Sequence, residues 1–150
     1  MLGTAFTATN ERYQACAFTQ KILRLTKMLV GLGHEVIHYG CEGSEVPCEH
    51  VNVVTEKTQA EAYGPNHYPF GLLKFKPDDP ADAEFTGNCI KEILRRKEPR
   101  DFILTHQGTY QKRITDAVGL HMTVEAGIGY RGTYAPYRVF ESSQWQHFIY

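Results

Sequence analysis

Four short runs rich in β-branched and apolar residues recur along the chain, at 34–40, 51–55, 101–106 and 120–124. Segments of helical period stand before the first run, between the second and third, and between the third and fourth. A strand that leaves its sheet, passes through a helix and returns is parallel to its neighbour, and such crossovers are right-handed. The rhythm therefore predicts an α/β protein: a Rossmann-like, doubly wound, mostly parallel sheet in a single domain. A chain of 150 residues is long enough to bury a real core.

The helices carry their own punctuation. Residues 11–32 place Phe18, Ile22, Leu25, Leu29 and Leu32 four and three apart, on one face. Lys21, Arg24 and Lys27 fall on the other side. Asn10 reads as the N-cap, and Gly31 and Gly33 as the close. The basic face reads as a solvated surface or, less commonly, as a contact for anionic lipid or an anionic acceptor; three charges do not decide it. Residues 56–63 supply one or two helical turns. The stretch 64–79 is irregular, with Tyr68, Phe70, Leu72 and Phe75 packing over a sheet edge or forming a binding lid. Asp79 then caps a helix whose first residue is Pro80, with Phe85, Cys89, Ile90, Ile93 and Leu94 as its buried stripe and Pro99 as its stop. Residues 110–118 form a short helix that Gly119 ends.

Composition excludes several classes. The net charge of −1 gives no argument for nucleic acid as a partner. No window approaches eighteen apolar residues, so no transmembrane helix is expected, and the N-terminus lacks the basic and apolar regions of a signal peptide. Cys16, Cys41, Cys48 and Cys89 form no C-x-x-C pair. Cys41, Cys48 and His50 match no standard zinc spacing, so no metal is expected and reduced thiols in a cytoplasmic protein are the simpler reading.

The chemistry gathers in three clusters. Residues 123–148 read as a strand, a loop broken by Gly127, Gly129 and Gly132, and then an aromatic helix or strand, with Glu125 where the first strand stops. His106-Gln107-Gly108 closes the run 101–106, and Gly3-Thr4-Ala5 forms a small-residue turn near the start. Taken alone, His106 is more often a strand-end hydrogen-bonding residue than a catalyst. Ligands in open α/β sheets bind outside the carboxyl ends of the strands, so the three clusters are expected to share one rim and form a small-molecule site. Glu125 and His106 are its catalytic candidates. Gly3, Thr4, Ala5, Gln107, Gly108, Gly127 and Tyr130 are its binding candidates.

These residues resemble a family. The run Val124-Glu125-Ala126-Gly127-Ile128-Gly129-Tyr130 and the run Arg138-Val139-Phe140-Glu141-Ser142 look like the N-terminal half of GT-B glycosyltransferases of the retaining, family-4-like group. So do the opening Cys16-Ala17-Phe18-Thr19-Gln20-Lys21, the turn Gly33-His34-Glu35-Val36, and Tyr39-Gly40. The likeness spans nearly the whole chain.

The resemblance implies two Rossmann-like domains across a cleft, the N-terminal one holding the acceptor and the C-terminal one the nucleotide-sugar donor. The loop after the first strand, here Gly3-Thr4-Ala5, is implied to turn backbone N–H groups toward the donor diphosphate. Many members carry histidine where this chain has Glu125, which leaves that residue three roles: acceptor of a sugar hydroxyl, stabiliser of an oxocarbenium-like centre, or base. No resident cofactor or metal is implied; the nucleotide-sugar is a co-substrate. The expectation is an acceptor-side half that transfers a sugar to a hydroxyl acceptor when completed by a second Rossmann-like domain or subunit, and is weakly active or inactive alone. The alternatives are a non-catalytic module that binds a sugar or nucleotide or pairs subunits through its aromatic C-terminus, and a small hydrolase or nucleoside-processing enzyme using Glu125 and His106.

Overall fold

The computed structural model of the protein describes residues 1–65, 76–119 and 122–150. The side chains expected to pack over a sheet edge or form a lid (Tyr68, Phe70, Leu72 and Phe75) lie outside the described residues. The chain divides into two compact units, Met1–Cys89 and Ile90–Tyr150. It is mixed α/β, and every strand pair described is parallel.

The first unit holds α1 (Ala17–Gly31), β1 (Ile37–Cys41), β2 (Glu49–Val54), α2 (Glu56–Tyr63) and most of α3 (Pro80–Arg96). β1 and β2 pair in register from Ile37↔Glu49 to Gly40↔Asn52. The N-terminus runs beside β1: the Tyr39 N–H donates to Met1 O at 3.0 Å, and the Gly3 N–H donates to Tyr39 O at 2.7 Å. Gly3 is therefore tied to the edge of the sheet beside the bridge Leu2↔Tyr39, and the chain bends over residues 5–7, where Thr4 Oγ1 accepts the Thr7 N–H at 3.2 Å.

Two expectations for α1 need correction. The helix begins at Ala17 with Cys16 as its cap residue. Asn10 instead closes a local turn, its Oδ1 accepting the Arg12 N–H at 3.0 Å. The buried face is Thr19, Ile22, Leu23 and Thr26, whereas Leu32 is 73% exposed. Threonines go inward here because tertiary partners satisfy them. Thr19 Oγ1 meets Thr7 Oγ1, and Thr26 Oγ1 lies 3.0 Å from Met1 Sδ while also donating to Ile22 O in its own helix at 2.8 Å. A buried hydroxyl with a partner costs little.

Other helix ends follow local chemistry. The Thr55 side chain accepts the Thr58 N–H at 3.1 Å at the start of α2. Asp79 Oδ1 accepts the Asp82 N–H at 2.8 Å at the start of α3, as its sequence predicts. Of the predicted α3 stripe, Phe85, Cys89 and Ile93 are buried, but Leu94 is 48% exposed.

The second unit is a three-stranded sheet in the order β3-β4-β5, with β3 (Ile103–Thr105), β4 (Thr123–Ile128) and β5 (Tyr137–Phe140). Between β3 and β4 run a 3-10 turn (Gly108–Gln111) and α4 (Lys112–Val118), which ends on Gly119 in the left-handed region at φ 64°. After β5 comes α5 (Ser143–Ile149), so the aromatic tail is a strand followed by a helix. The hydrogen bonds thus group the strands into a sheet of two and a sheet of three, where the sequence predicted one shared sheet.

Candidate functional site

The parallel return from β4 to β5 decides the geometry of the second unit. Parallel partners usually need a crossover of a dozen or more residues. Here residues 129–136 do it, in eight. The register Val124↔Tyr137 brings the chain back about four positions, roughly 13 Å at strand rise. No helix fits in that length, so the loop must be held by something else.

Glu125 holds it. Its Oε2 accepts the Tyr134 N–H at 2.8 Å and the Ala135 N–H at 3.0 Å. The Tyr130 hydroxyl lies 3.4 Å from Oε1. The side chain is fully buried, a state a carboxylate sustains only when its oxygens are paired. Glu125 is also not at a strand end, as expected, but third of six residues in β4. The strand continues through Gly127, whose φ of 71° sits at the register shift between Ala126 and Ile128. That glycine makes a bulge rather than a loop, because the bulged position needs a positive φ.

Beside this clamp lies the second predicted cluster. Gly108 has a φ of 58°, and a Cβ there would come 2.8 Å from the Tyr130 ring and 3.0 Å from Gly132 O. Only glycine lets the ring sit so close. The Gly108 N–H faces the Tyr130 hydroxyl, while burial and then the Glu125 charge push that phenol's pKa well up. His106 is fully buried, and its Nδ1 lies 3.0 Å from Ala126 O. A carbonyl only accepts, so Nδ1 carries the proton in the neutral ring and Nε2 is its basic nitrogen.

The structure therefore brings together His106, Gln107, Gly108, Glu125 and Tyr130, with Gly127 bending β4 among them. Gly3, Thr4 and Ala5 belong to the first unit, where all three are buried. The Gly3 N–H, expected to face phosphate, is committed to Tyr39 O. Thr4 Oγ1 lies 2.6 Å from Thr7 Oγ1. The Ala5 carbonyl accepts from Gln59 Nε2 at 3.3 Å. Gly3 is closely packed, since a Cβ would lie 3.0 Å from Tyr39 O and 3.1 Å from His38 Nε2.

Gln111 escaped sequence reasoning. It is buried, and its Oε1 accepts the His106 N–H at 2.8 Å and the Gln107 N–H at 3.3 Å, so it shapes the turn after β3. The available signal was a lone amide side chain one turn beyond a polar strand end. Tyr134 was missed too; its hydroxyl lies 3.4 Å from both Thr105 Oγ1 and Thr115 Oγ1. Among the described residues, no group of three or more His, Cys, Asp or Glu side chains is placed to hold a metal ion. Among the same residues, no helix is long and apolar enough to cross a membrane. Comparison with protein-family models, with curated proteins and with solved structures yields no match to this chain.

Proposed function

We propose that the chain is the acceptor-side half of a GT-B-type glycosyltransferase, which moves a sugar from a nucleotide-sugar to a hydroxyl acceptor, and that its parallel strands belong to a doubly wound, Rossmann-like fold. One observation carries the reading. Two segments far apart in sequence meet where the chain leaves parallel β3 and β4: Tyr130, two residues past β4, packs on Gly108, three residues past β3, and reaches back to Glu125 inside β4. Ligand sites of open α/β sheets occupy that edge.

In this proposal Glu125 is a positioning residue. Both its oxygens are engaged by the chain's own groups, so it shapes the loop 129–136, and the loop and the turn 106–108 present the surface a substrate meets. Donor binding belongs to a second Rossmann-like domain or subunit.

The test is a sugar-transfer assay and a thermal-shift screen with nucleotide-sugars, run on these 150 residues and on a form joined to a donor-binding domain. Stabilisation and turnover are expected only in the joined form. Robust turnover by the 150 residues alone would refute the half-enzyme reading.

A subunit-pairing role is the second reading, favoured by Tyr137 and Val139. They point to one face of β5 and are 53% and 55% exposed. Sedimentation that reports a stable dimer, with no nucleotide-sugar effect in either form, would favour it.

A further inference from the structure

Gly129 and Glu141 are the first residues beyond the parallel strands β4 and β5, and they meet. A Cβ built on Gly129 would come 2.4 Å from Glu141 Oε2 and 2.8 Å from its Cδ. Gly129 is not in the left-handed region, so its backbone angles do not call for glycine. What glycine supplies here is space, and the Glu141 carboxylate fills it. The Glu141 N–H donates to Ile128 O at 3.1 Å, which extends the β4–β5 ladder past Phe140 and fixes where the side chain starts.

Two carboxylates thus stand in this region in opposite states. Glu125 is fully buried, and its oxygens take the Tyr130 hydroxyl and the Tyr134 and Ala135 N–H groups. Glu141 is exposed, and its seat on Gly129 adjoins Tyr130, which packs on Gly108. Ligands of open α/β sheets bind outside the carboxyl ends of the strands, so the carboxylate a ligand can reach there is Glu141. A carboxylate only accepts hydrogen bonds, through two oxygens, so its partner must donate. Arg131, two residues past Gly129, holds its guanidinium 4.7 Å from the Phe148 ring centroid, and that ring is 57% exposed. A fixed cation nearby disfavours a cationic ligand. A sugar suits the mixture, because it offers hydroxyls to the carboxylate and an apolar C–H face to an aromatic ring.

We infer that Glu141 is a substrate-contacting residue: its carboxylate, seated on Gly129, accepts hydrogen bonds from neighbouring hydroxyls of a sugar. The inference rests on the acceptor-side reading above, and it moves the contact from Glu125, which the sequence favours, to Glu141. Sugar binding and sugar transfer are separate measurements, so the failure of one is told apart from the failure of the other.

The experiment is an NMR titration of the nitrogen-15-labelled full chain with the methyl glycosides of glucose, galactose and mannose, and separately with 1,4-diaminobutane as a cationic probe. At least one glycoside should shift the amide signals of Gly108, Gly129, Tyr130 and Glu141 to saturation, and the diamine should not. Glu141→Ala should weaken that binding about tenfold or more, the loss expected for a hydrogen bond to a charged group. Gly129→Ala keeps the carboxylate but displaces it from its seat, and should weaken binding too. Its melting midpoint should stay that of the parent, because the atoms it displaces are the far end of a flexible, exposed side chain. No shift with any glycoside, undiminished binding by either variant, or equal shifts with the diamine would overturn the inference. Glycoside binding with no transfer by the joined form would keep it and remove the transferase reading. Transfer with an acceptor KM unchanged by Glu141→Ala would do the reverse.

Discussion

Glu125 and Ala135 stand ten residues apart and meet through one carboxylate oxygen, which also takes the Tyr134 N–H. That pairing lets an eight-residue loop serve as a parallel crossover. Glu125→Ala leaves two N–H groups without an acceptor, and each costs about 1–3 kcal/mol where water is excluded. The expected loss is therefore about 2–6 kcal/mol, read from urea unfolding. Glu125→Gln keeps an oxygen for both donors and should lose clearly less. An alanine variant within error of the parent would show that the loop is held by other means.

His38 and Gly40 constrain each other in the first unit. They lie two apart on one face of β1, and a Cβ on Gly40 would come within 2.3 Å of His38 Cε1. The imidazole cannot simply swing away, because its Nδ1 lies 2.9 Å from Nδ1 of its register partner His50. Gly40→Ala should destabilise by about 1–3 kcal/mol, the usual cost of overpacking a filled interior. His38→Ala removes the obstructing ring, so the two changes together should cost less than their sum. Additive effects in that double-mutant cycle would mean that the strain is relieved elsewhere.

What could be read in advance was local. Asp79 before Pro80, and Gly119 after Val118, act on their own helix ends, and both behave as their positions require. Thr19 and Thr26 behave otherwise, because the partners that draw them inward, Thr7 and Met1, come from another part of the chain. Periodicity counts those hydroxyls as polar and turns the helix the wrong way. Glu125 stands inside β4, whereas the sequence places it at the end of a strand. Gly127 looks like the end of a strand, and only the pairing of Ile128 with Phe140 shows that β4 runs on past it. The meeting of Gly108 with Tyr130 depends on strands adjacent in space, which no spacing along the sequence reports. The role of Gln111 is set in the same way, by the N–H groups that the turn at 106–107 directs at it.

The cysteines should divide into two pairs. Cys41 and Cys89 are fully buried, and burial pushes both thiols well above the ordinary range. Cys41 is further enclosed by the Thr4 carbonyl at 3.1 Å and by Gln59 Nε2 at 2.9 Å. Cys16 and Cys48 are part-exposed. The thiolate is the reactive form, so iodoacetamide on the native protein should label Cys16 and Cys48 and spare the other pair until urea is added. Peptide mass spectrometry reads this directly. Prompt labelling of Cys41 in the native protein would contradict the enclosed β1 described here.

Tyr130 predicts a loss of stability at high pH. Its phenol is pushed up by burial and by the nearby Glu125 charge, so the folded protein keeps that proton when the unfolded chain gives it up near pH 10. Above about pH 10 the native state therefore binds more protons than the unfolded state, and unfolding free energy falls as pH rises. The contribution is complete below the unfolded value and drains away above it, by at most about 1.4 kcal/mol per pH unit for one group. Tyr63 and Tyr134 are raised as well, so the parent alone does not isolate the residue. Tyr130→Phe does. The variant should be less stable near neutrality, through the lost contact to Glu125, and should lose stability more slowly above about pH 10. The gap between parent and variant therefore narrows as the solution becomes more alkaline, in urea midpoints taken across that range. Parallel curves for the two proteins would show that the Tyr130 site does not hold its phenol protonated.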